Sequence, residues 1–150
     1  VGLPDALMTL PIGPAETPSP ALPTLLRGRV LLVEDNPVNA LVAEASLRRL
    51  GLEVESVADG EGAVALATRD PFDLILMDCQ MPGIDGFEAT ARIREFERTA
   101  SRRPVPIVAL TANAMAGDRE RSLGAGMNDH LAKPFHDDEL GGVLRRHLAA

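Results

Sequence analysis

The sequence has little cysteine, no long apolar run and no surplus of positive charge. Its single cysteine, Cys79, excludes an internal disulfide bond and is typical of a reducing compartment. No apolar run reaches the roughly 18 residues of a membrane-spanning helix, so no such helix is predicted. The net charge is −7 and the isoelectric point is near 4.9. That balance disfavours nucleic acid as a direct partner, because phosphate backbones attract an excess of lysine and arginine.

Proline is distributed unevenly along the 150 residues. Six of the twelve prolines fall within residues 1–28, a spacing that disfavours helix and central strand and favours extended chain. We therefore predict a linker or tail over 1–28 and one folded domain over 29–150. The chain does not begin with methionine, and no basic region leads into an apolar run, so a signal peptide is not predicted. We expect the chain to be part of a longer protein.

After the proline-rich head, five short apolar runs alternate with five segments of helical character. The predicted strands cover 30–33, 52–57, 72–77, 105–110 and 129–132. The predicted helices cover 37–50, 63–67, 86–98, 114–123 and the last residues around an apolar stripe of Leu140, Val143, Leu144 and Leu148. Phe87, Ile93 and Phe96 are the predicted core contacts of the third helix. Regular alternation of this kind predicts a parallel sheet covered by helices on both faces. We therefore predict an α/β fold with a flavodoxin-like doubly wound sheet of strand order 2-1-3-4-5.

The first predicted helix has clear start and stop signals. Asn36 is suited to cap the helix, and Pro37 follows at the first helical position. Gly51 is a typical C-terminal residue. The apolar residues that recur at helical spacing are Val38, Leu41, Val42 and Ala45.

Polar residues follow four of the five predicted strands. They are Glu34 and Asp35 after the first strand, Asp78 after the third, Thr111 after the fourth and Lys133 after the fifth. The carboxyl ends of parallel strands share one edge of the sheet, so these groups are expected to gather there. Packed carboxylates need a compensating cation, and oxygen ligands with an open shell suit Mg²⁺. A carboxylate nucleophile, a divalent ion, a lysine and a hydroxyl together predict an aspartyl-phosphate site.

The chain from about residue 29 to 148 resembles the receiver domain of two-component response regulators. The matching motifs are residues 33–39, 77–86, 109–112 and 133–135. Three phrases, at 34–39, 110–114 and 125–130, are most similar to receivers attached to hybrid sensor histidine kinases. The resemblance covers nearly the whole predicted domain and every residue of the predicted site.

The resemblance implies a role for each site residue. Asp78 would accept the phosphoryl group, and Thr111 and Lys133 would hold its oxygens. Mg²⁺ would be bound by Asp35, Asp78 and the backbone carbonyl of Gln80, with Glu34 acting directly or through water.

The resemblance also implies roles at three further positions, which concern the switch and the lifetime of the phosphoryl group. His130 stands where the family often has an aromatic switch residue, so it is either a switch coupled to Thr111 or a half-buried packing residue, and we favour packing. Gln80 and Asn113 stand where the lifetime of the phosphoryl group is tuned. Cys79 is interpreted as a packed small hydrophobic residue, and His136 and His147 as surface residues.

The function that follows is a phosphoacceptor module of a phosphorelay. It would take a phosphoryl group from a phosphohistidine on a kinase dimerisation domain or a histidine phosphotransfer domain. The chain itself would catalyse only its own phosphorylation and dephosphorylation, within a parent hybrid kinase. We expect a cytoplasmic location and no membrane contact by this segment, although the parent kinase could be anchored in a membrane.

Other functions are weighed against this one. A stand-alone response regulator is the main alternative, and a pseudo-receiver that only docks is disfavoured by the complete set of acids. An aspartate-nucleophile phosphatase usually has a second acid where this chain has Gln80. A nucleotide- or flavin-binding domain of similar topology would have a glycine-rich turn after the first strand, where Glu34 to Pro37 stand instead.

Overall fold

A computed structural model describes residues 26–112 and 116–148 of the chain. Asn113 and most of the proline-rich head therefore lie outside the described residues. In the part that is described, no helix combines the length and the apolar character needed to cross a membrane.

A five-stranded parallel sheet forms the centre of the described chain. Its strands are β1 Arg29–Val33, β2 Glu53–Val57, β3 Leu74–Asp78, β4 Ile107–Thr111 and β5 Asp129–Ala132. The order across the sheet is β2-β1-β3-β4-β5, and every neighbouring pair is parallel. The predicted strand order is confirmed, and it makes β1 and β3 direct neighbours.

Helices cover both faces of this sheet. They are α1 Pro37–Arg49, α2 Gly60–Arg69, α3 Gly86–Thr99, α4 Ala116–Ala125 and α5 Asp137–His147. Alternate residues of each strand point to opposite faces, so the buried strands supply two separate apolar cores. One core joins Leu76 of β3 to Leu47 of α1 and Leu144 of α5. The other joins Met77 of β3 to Ile93 of α3.

Several element boundaries differ from the sequence prediction. Strand β4 begins at Ile107 rather than at residue 105, because Pro106 has no N–H to donate to the sheet. Helix α2 begins at Gly60, three residues before the predicted start, because the Asp59 side chain accepts a hydrogen bond from the Gly62 N–H and caps it.

The end of α4 and the start of the domain also differ. Helix α4 continues through Gly124 to Ala125 and stops at Gly126, whose φ of +105° favours glycine. Its predicted start at residue 114 lies outside the described residues. The folded part includes Leu26, which is buried and donates its N–H to the Leu50 carbonyl at 2.8 Å.

Helix α1 buries a different face from the stripe that predicted it. Its start is confirmed, since the Asn36 side chain accepts hydrogen bonds from the backbone N–H groups of residues 38 and 39. Val38, Leu41 and Val42, however, are 66%, 67% and 60% exposed. The buried face carries Leu47 together with the small residues 43 and 46, which allow the helix to approach the sheet closely.

The apolar stripes of the other helices are buried largely as expected. The predicted residues Leu140, Val143 and Leu144 of α5, and Leu148 directly after it, are all buried. In α3, Ile93 is buried, whereas Phe87 and Phe96 are only half-buried.

The two faces of α1 should differ sharply in their contribution to stability. We expect Leu47→Ala to lower the free energy of unfolding by about 2–5 kcal/mol, because it removes a fully buried side chain. The same change at exposed Leu41 should alter it by less than about 0.5 kcal/mol. Urea denaturation of both variants provides the measurement. Equal losses would contradict this assignment of the buried face.

Candidate functional site

The parallel strands bring four charged side chains to the carboxyl edge of the sheet. Glu34 and Asp35 directly follow β1, Asp78 is the last residue of β3, and Lys133 directly follows β5. Because β1 and β3 are neighbours, the carboxylates of the two strands face each other across one gap. The structure thus brings together the acids that the sequence predicted.

The three carboxylates form one cluster. Glu34, Asp35 and Asp78 each place a carboxylate oxygen within 4.8 Å of the others. Glu34 and Asp78 are buried, at 5% and 4% exposure, and Asp35 is exposed. The backbone N–H of Asn36 donates to Glu34 Oε2 at 3.1 Å and so fixes that carboxylate at the start of α1.

Lys133, the only lysine of the chain, connects the two buried acids. Its Nζ lies 3.1 Å from Glu34 Oε1 and 3.4 Å from Asp78 Oδ2. Burial lowers the pKa of the Lys133 ammonium, but Asp78 and Glu34 together outweigh that effect and raise it above its usual value. Lys133 is therefore held as a cation at the base of the cluster.

Asp78 is only partly compensated by this lysine. Burial raises the pKa of Asp78 to about 6, and the neighbouring charge of Glu34 adds to the increase. The Gln80 N–H, which donates to Asp78 Oδ1 at 3.0 Å, and the Lys133 ammonium both oppose it. The cluster therefore has more negative charge than its one cation neutralises.

The loop after β3 is held tightly against the Asp78 backbone. A Cβ built on Gly86, at the start of α3, would lie 2.3 Å from the Asp78 carbonyl oxygen. Only glycine allows the helix to begin so close to the strand end. Asp85 caps α3 by accepting from the Glu88 N–H at 2.9 Å, and Cys79 is buried in the adjacent core, as predicted.

Thr111 and Lys133 lie on neighbouring strand ends. Thr111 is the last residue of β4 and is buried, and its carbonyl accepts a hydrogen bond from the Lys133 N–H at 2.7 Å. By the alternation of β5 against β4, His130 is on the same face of the sheet as Thr111. The His130 side chain is half-buried, and its Nδ1 lies 3.9 Å from Asp129 Oδ1.

The predictions for His147 and Asn113 have different outcomes. His147 was expected at the surface, but its side chain is only 20% exposed and its Nε2 lies 3.0 Å from Asp129 Oδ2, so that prediction is wrong. The interaction joins the end of α5 to the start of β5, which sequence spacing could not indicate. Asn113 lies outside the described residues, and its role stays a prediction.

A cavity of about 220 Å³ opens above the acids, and three of its lining residues, Asn36, Asn39 and Ala112, were not among the predicted site residues. Its lining residues are Glu34, Asp35, Asn36, Asn39, Asp78, Gln80, Ala112 and Lys133. Asn39 belongs to the first turn of α1, and the signal for it was its position four residues after the second acid. A second groove, of about 320 Å³, adjoins Asn39 and runs between α1 and residues 133–135.

The comparisons with known proteins agree with this geometry. Residues 30–145 match the family described as the response regulator receiver domain. The chain belongs to that family. Its receiver domain is 46% identical over 116 residues to the sensor protein GacS of Pseudomonas syringae pv. syringae, covering 77% of this chain and 13% of that protein. The chain thus spans only a small part of the length of such relatives.

Two solved structures extend the comparison. The receiver domain of the sensor histidine kinase PA1611 from Pseudomonas aeruginosa, with a magnesium ion coordinated in its active site cleft, is 54% identical. It matches with a TM-score of 0.71 over 80% of this chain and 96% of that one. The Saccharomyces cerevisiae complex of the histidine phosphotransfer protein Ypd1 with the receiver domain of Ssk1 matches with 32% identity and a TM-score of 0.75, over 83% and 89% of the respective chains.

The raised pKa of Asp78 should make the metal-free receiver domain less stable at neutral pH. A carboxyl group whose pKa is about 6 in the folded state and 3.8 in the unfolded state binds its proton more tightly when folded. Stability should therefore fall as the pH rises from about 4 to above 6. Asp78→Asn should remove this loss and raise the free energy of unfolding at pH 7.5 by about 1–2 kcal/mol. Urea denaturation in EDTA at pH 4.5 and 7.5 provides the measurement, and a less stable variant at pH 7.5 would contradict the assignment.

Proposed function

We propose that Asp78 accepts a phosphoryl group from a phosphohistidine. The observation that carries this proposal is the position of Asp78, a buried carboxylate 3.4 Å from the Lys133 ammonium and clustered with Glu34 and Asp35. In the reaction an Asp78 oxygen attacks phosphorus, the P–N bond breaks, and its electron pair goes to the donor's imidazole nitrogen. The product is an aspartyl phosphate on this chain.

The acid cluster fits Mg²⁺. Its donors are all oxygen atoms within a small volume, and one lysine leaves it under-neutralised, as the raised pKa of Asp78 indicates. Glu34, Asp35, Asp78 and the Gln80 backbone carbonyl are the groups that would hold the ion. When bound, it would neutralise charge on the phosphoryl oxygens. The magnesium ion in the PA1611 receiver domain supports this assignment.

Lys133 and Thr111 are the groups proposed to respond to phosphorylation. The phosphoryl group adds roughly −1.5 to −2 charge at Asp78. Lys133 already contacts both buried acids and can transfer its hydrogen bonds to the new oxygens. The Lys133 N–H bond to the Thr111 carbonyl couples the two strand ends, so movement at one is transmitted to the other. For His130, its partial burial beside Asp129 supports the packing role over the switch role.

A small phosphodonor tests the acceptor and the metal together. With acetyl phosphate and Mg²⁺, we expect intact mass spectrometry to show one added phosphoryl group on the wild type. Asp78→Asn and EDTA should each abolish the addition, whereas Asp138→Asn, at an exposed position on α5, should retain it. No addition to the wild type, together with no binding of beryllofluoride, would favour the pseudo-receiver alternative.

The exposed apolar face of α1 is proposed as the docking surface for the phosphodonor. Val38, Leu41 and Val42 follow the acids within two helical turns and are each at least 60% exposed. The adjoining groove extends this surface to Phe135. Contiguous exposed apolar residues beside a reactive centre are typical of a protein interaction site. We commit to a histidine phosphotransfer domain as the occupant, as the Ypd1–Ssk1 complex supports; a kinase dimerisation domain is the alternative donor.

Substitution of this face should affect a protein donor and not a small one. Leu41→Ser should slow transfer from phosphorylated Ypd1, the probe donor, by about fivefold to thirtyfold, as expected for one interface anchor. Its rate with acetyl phosphate should stay within about twofold, since the acid cluster is untouched. Leu123→Ser, on the exposed part of α4, is the matched control and should leave both rates unchanged. Equal effects of the two substitutions would contradict the assignment of α1; transfer from a kinase dimerisation domain but not from Ypd1 would favour the alternative donor.

We further propose that the parent protein is a hybrid sensor histidine kinase that carries this receiver domain on the cytoplasmic side. The high identity to receivers of sensor kinases, over a small share of the length of one of them, supports this origin. A stand-alone response regulator remains the alternative. A kinase that supplies the phosphoryl group takes it from ATP, and ATP is found in the cytoplasm. This supports a cytoplasmic location.

A further inference from the structure

The cavity above Asp78 is lined by three amide side chains, of which one already makes hydrogen bonds within the protein. Asn36 accepts hydrogen bonds from two backbone N–H groups and caps α1. Asn39, on α1, and Gln80, in the loop after β3, are exposed. Within the described residues, neither of these two side chains makes a hydrogen bond. Two amides are therefore available to a molecule that enters the cavity.

Asn39 differs from Gln80 in its position relative to the docking face. It lines the acid cavity and also the adjoining groove, where it stands with Val42 and Phe135. A donor that docks on the exposed face of α1 therefore passes Asn39 before it reaches Asp78. Gln80, in the loop after β3, lines the acid cavity but not the adjoining groove.

The geometry of phosphoryl transfer defines what Asn39 would meet. The attacking and leaving atoms lie roughly in line through phosphorus. Asp78 is 4% exposed, so its attacking oxygen lies at the base of the cavity and the leaving group must lie at its mouth. For a phosphohistidine that leaving group is an imidazole ring, which in its protonated form presents an N–H on the nitrogen that does not carry phosphorus.

We propose that Asn39 is a positioning residue for the leaving imidazole. Its carboxamide oxygen accepts a hydrogen bond from the ring N–H and orients the ring for in-line departure. The P–N electron pair goes to the phosphorylated ring nitrogen as the Asp78 oxygen bonds to phosphorus. Because the other ring nitrogen carries the proton, the ring leaves as neutral imidazole. The inference rests on the proposed transfer to Asp78.

Two small donors that differ in their leaving group test this role without a docking partner. Protonated phosphoimidazole has the ring N–H, whereas the acetate that leaves acetyl phosphate has none. In Asn39→Ala, we expect the ratio of the phosphoimidazole rate to the acetyl phosphate rate to fall about threefold to tenfold, the value of one hydrogen bond. Asn39→Gln keeps the amide and should restore part of the ratio.

The outcomes separate this inference from the proposed function. An unchanged ratio in Asn39→Ala would overturn the inference. If the ratio is unchanged because both rates fall equally, Asn39 acts on the acceptor side. A wild type that reacts with neither donor would instead contradict the proposed acceptor role of Asp78. Intact mass spectrometry over time measures all these rates on the whole chain.

Discussion

The site depends on two buried carboxylates that share a single lysine. Glu34 and Asp78 are almost fully buried, and Lys133 Nζ contacts both, at 3.1 and 3.4 Å. One ammonium neutralises one of these charges, and exposed Asp35 adds a third acid within 4.8 Å. Leaving buried charge uncompensated is costly, so the cluster favours protonation of Asp78 or a divalent cation. The same shortage of positive charge is the reason we propose that the Lys133 ammonium exchanges its partners when charge is added at Asp78.

The parallel sheet is what makes this cluster predictable from the sequence. Lys133 is separated by 99 residues from Glu34 and by 55 from Asp78, yet each follows or ends a strand that runs in the same direction. Strands buried on both faces are short continuous apolar runs, which are recognisable without a structure. Once their order is known, residues at their carboxyl ends must meet. Asp78, Thr111 and Lys133 could therefore be selected before any coordinates were known.

The rest could not be predicted because it depends on contacts between elements. Helical spacing identified α1 but not which of its stripes faces the sheet. That choice is set by small buried residues and by Ser46, whose Oγ donates to Asp137 Oδ1 across 91 residues of sequence. Asn39 was missed because its spacing from Asp35, the one signal for it, does not by itself show that the helix places it in the cavity above the acids. The interaction of His147 with Asp129 likewise joins two elements whose sequences give no sign of it.

Helix α1 combines chemistry and proposed recognition in one rigid element. Its capping residue, Asn36, directly follows Asp35, and Asn39 and Leu41 lie within the next two turns. Asn39 and Val42, a member of the exposed face, are three residues apart, so they are neighbours on the helix surface, and both line the adjoining groove. In the proposed complex, a donor held by the exposed face would have its imidazole placed by the same helix that starts at the acids. Leu47 on the opposite face packs against the sheet and is fully buried. The exposed face can therefore bind and release a partner without disturbing the acid cluster.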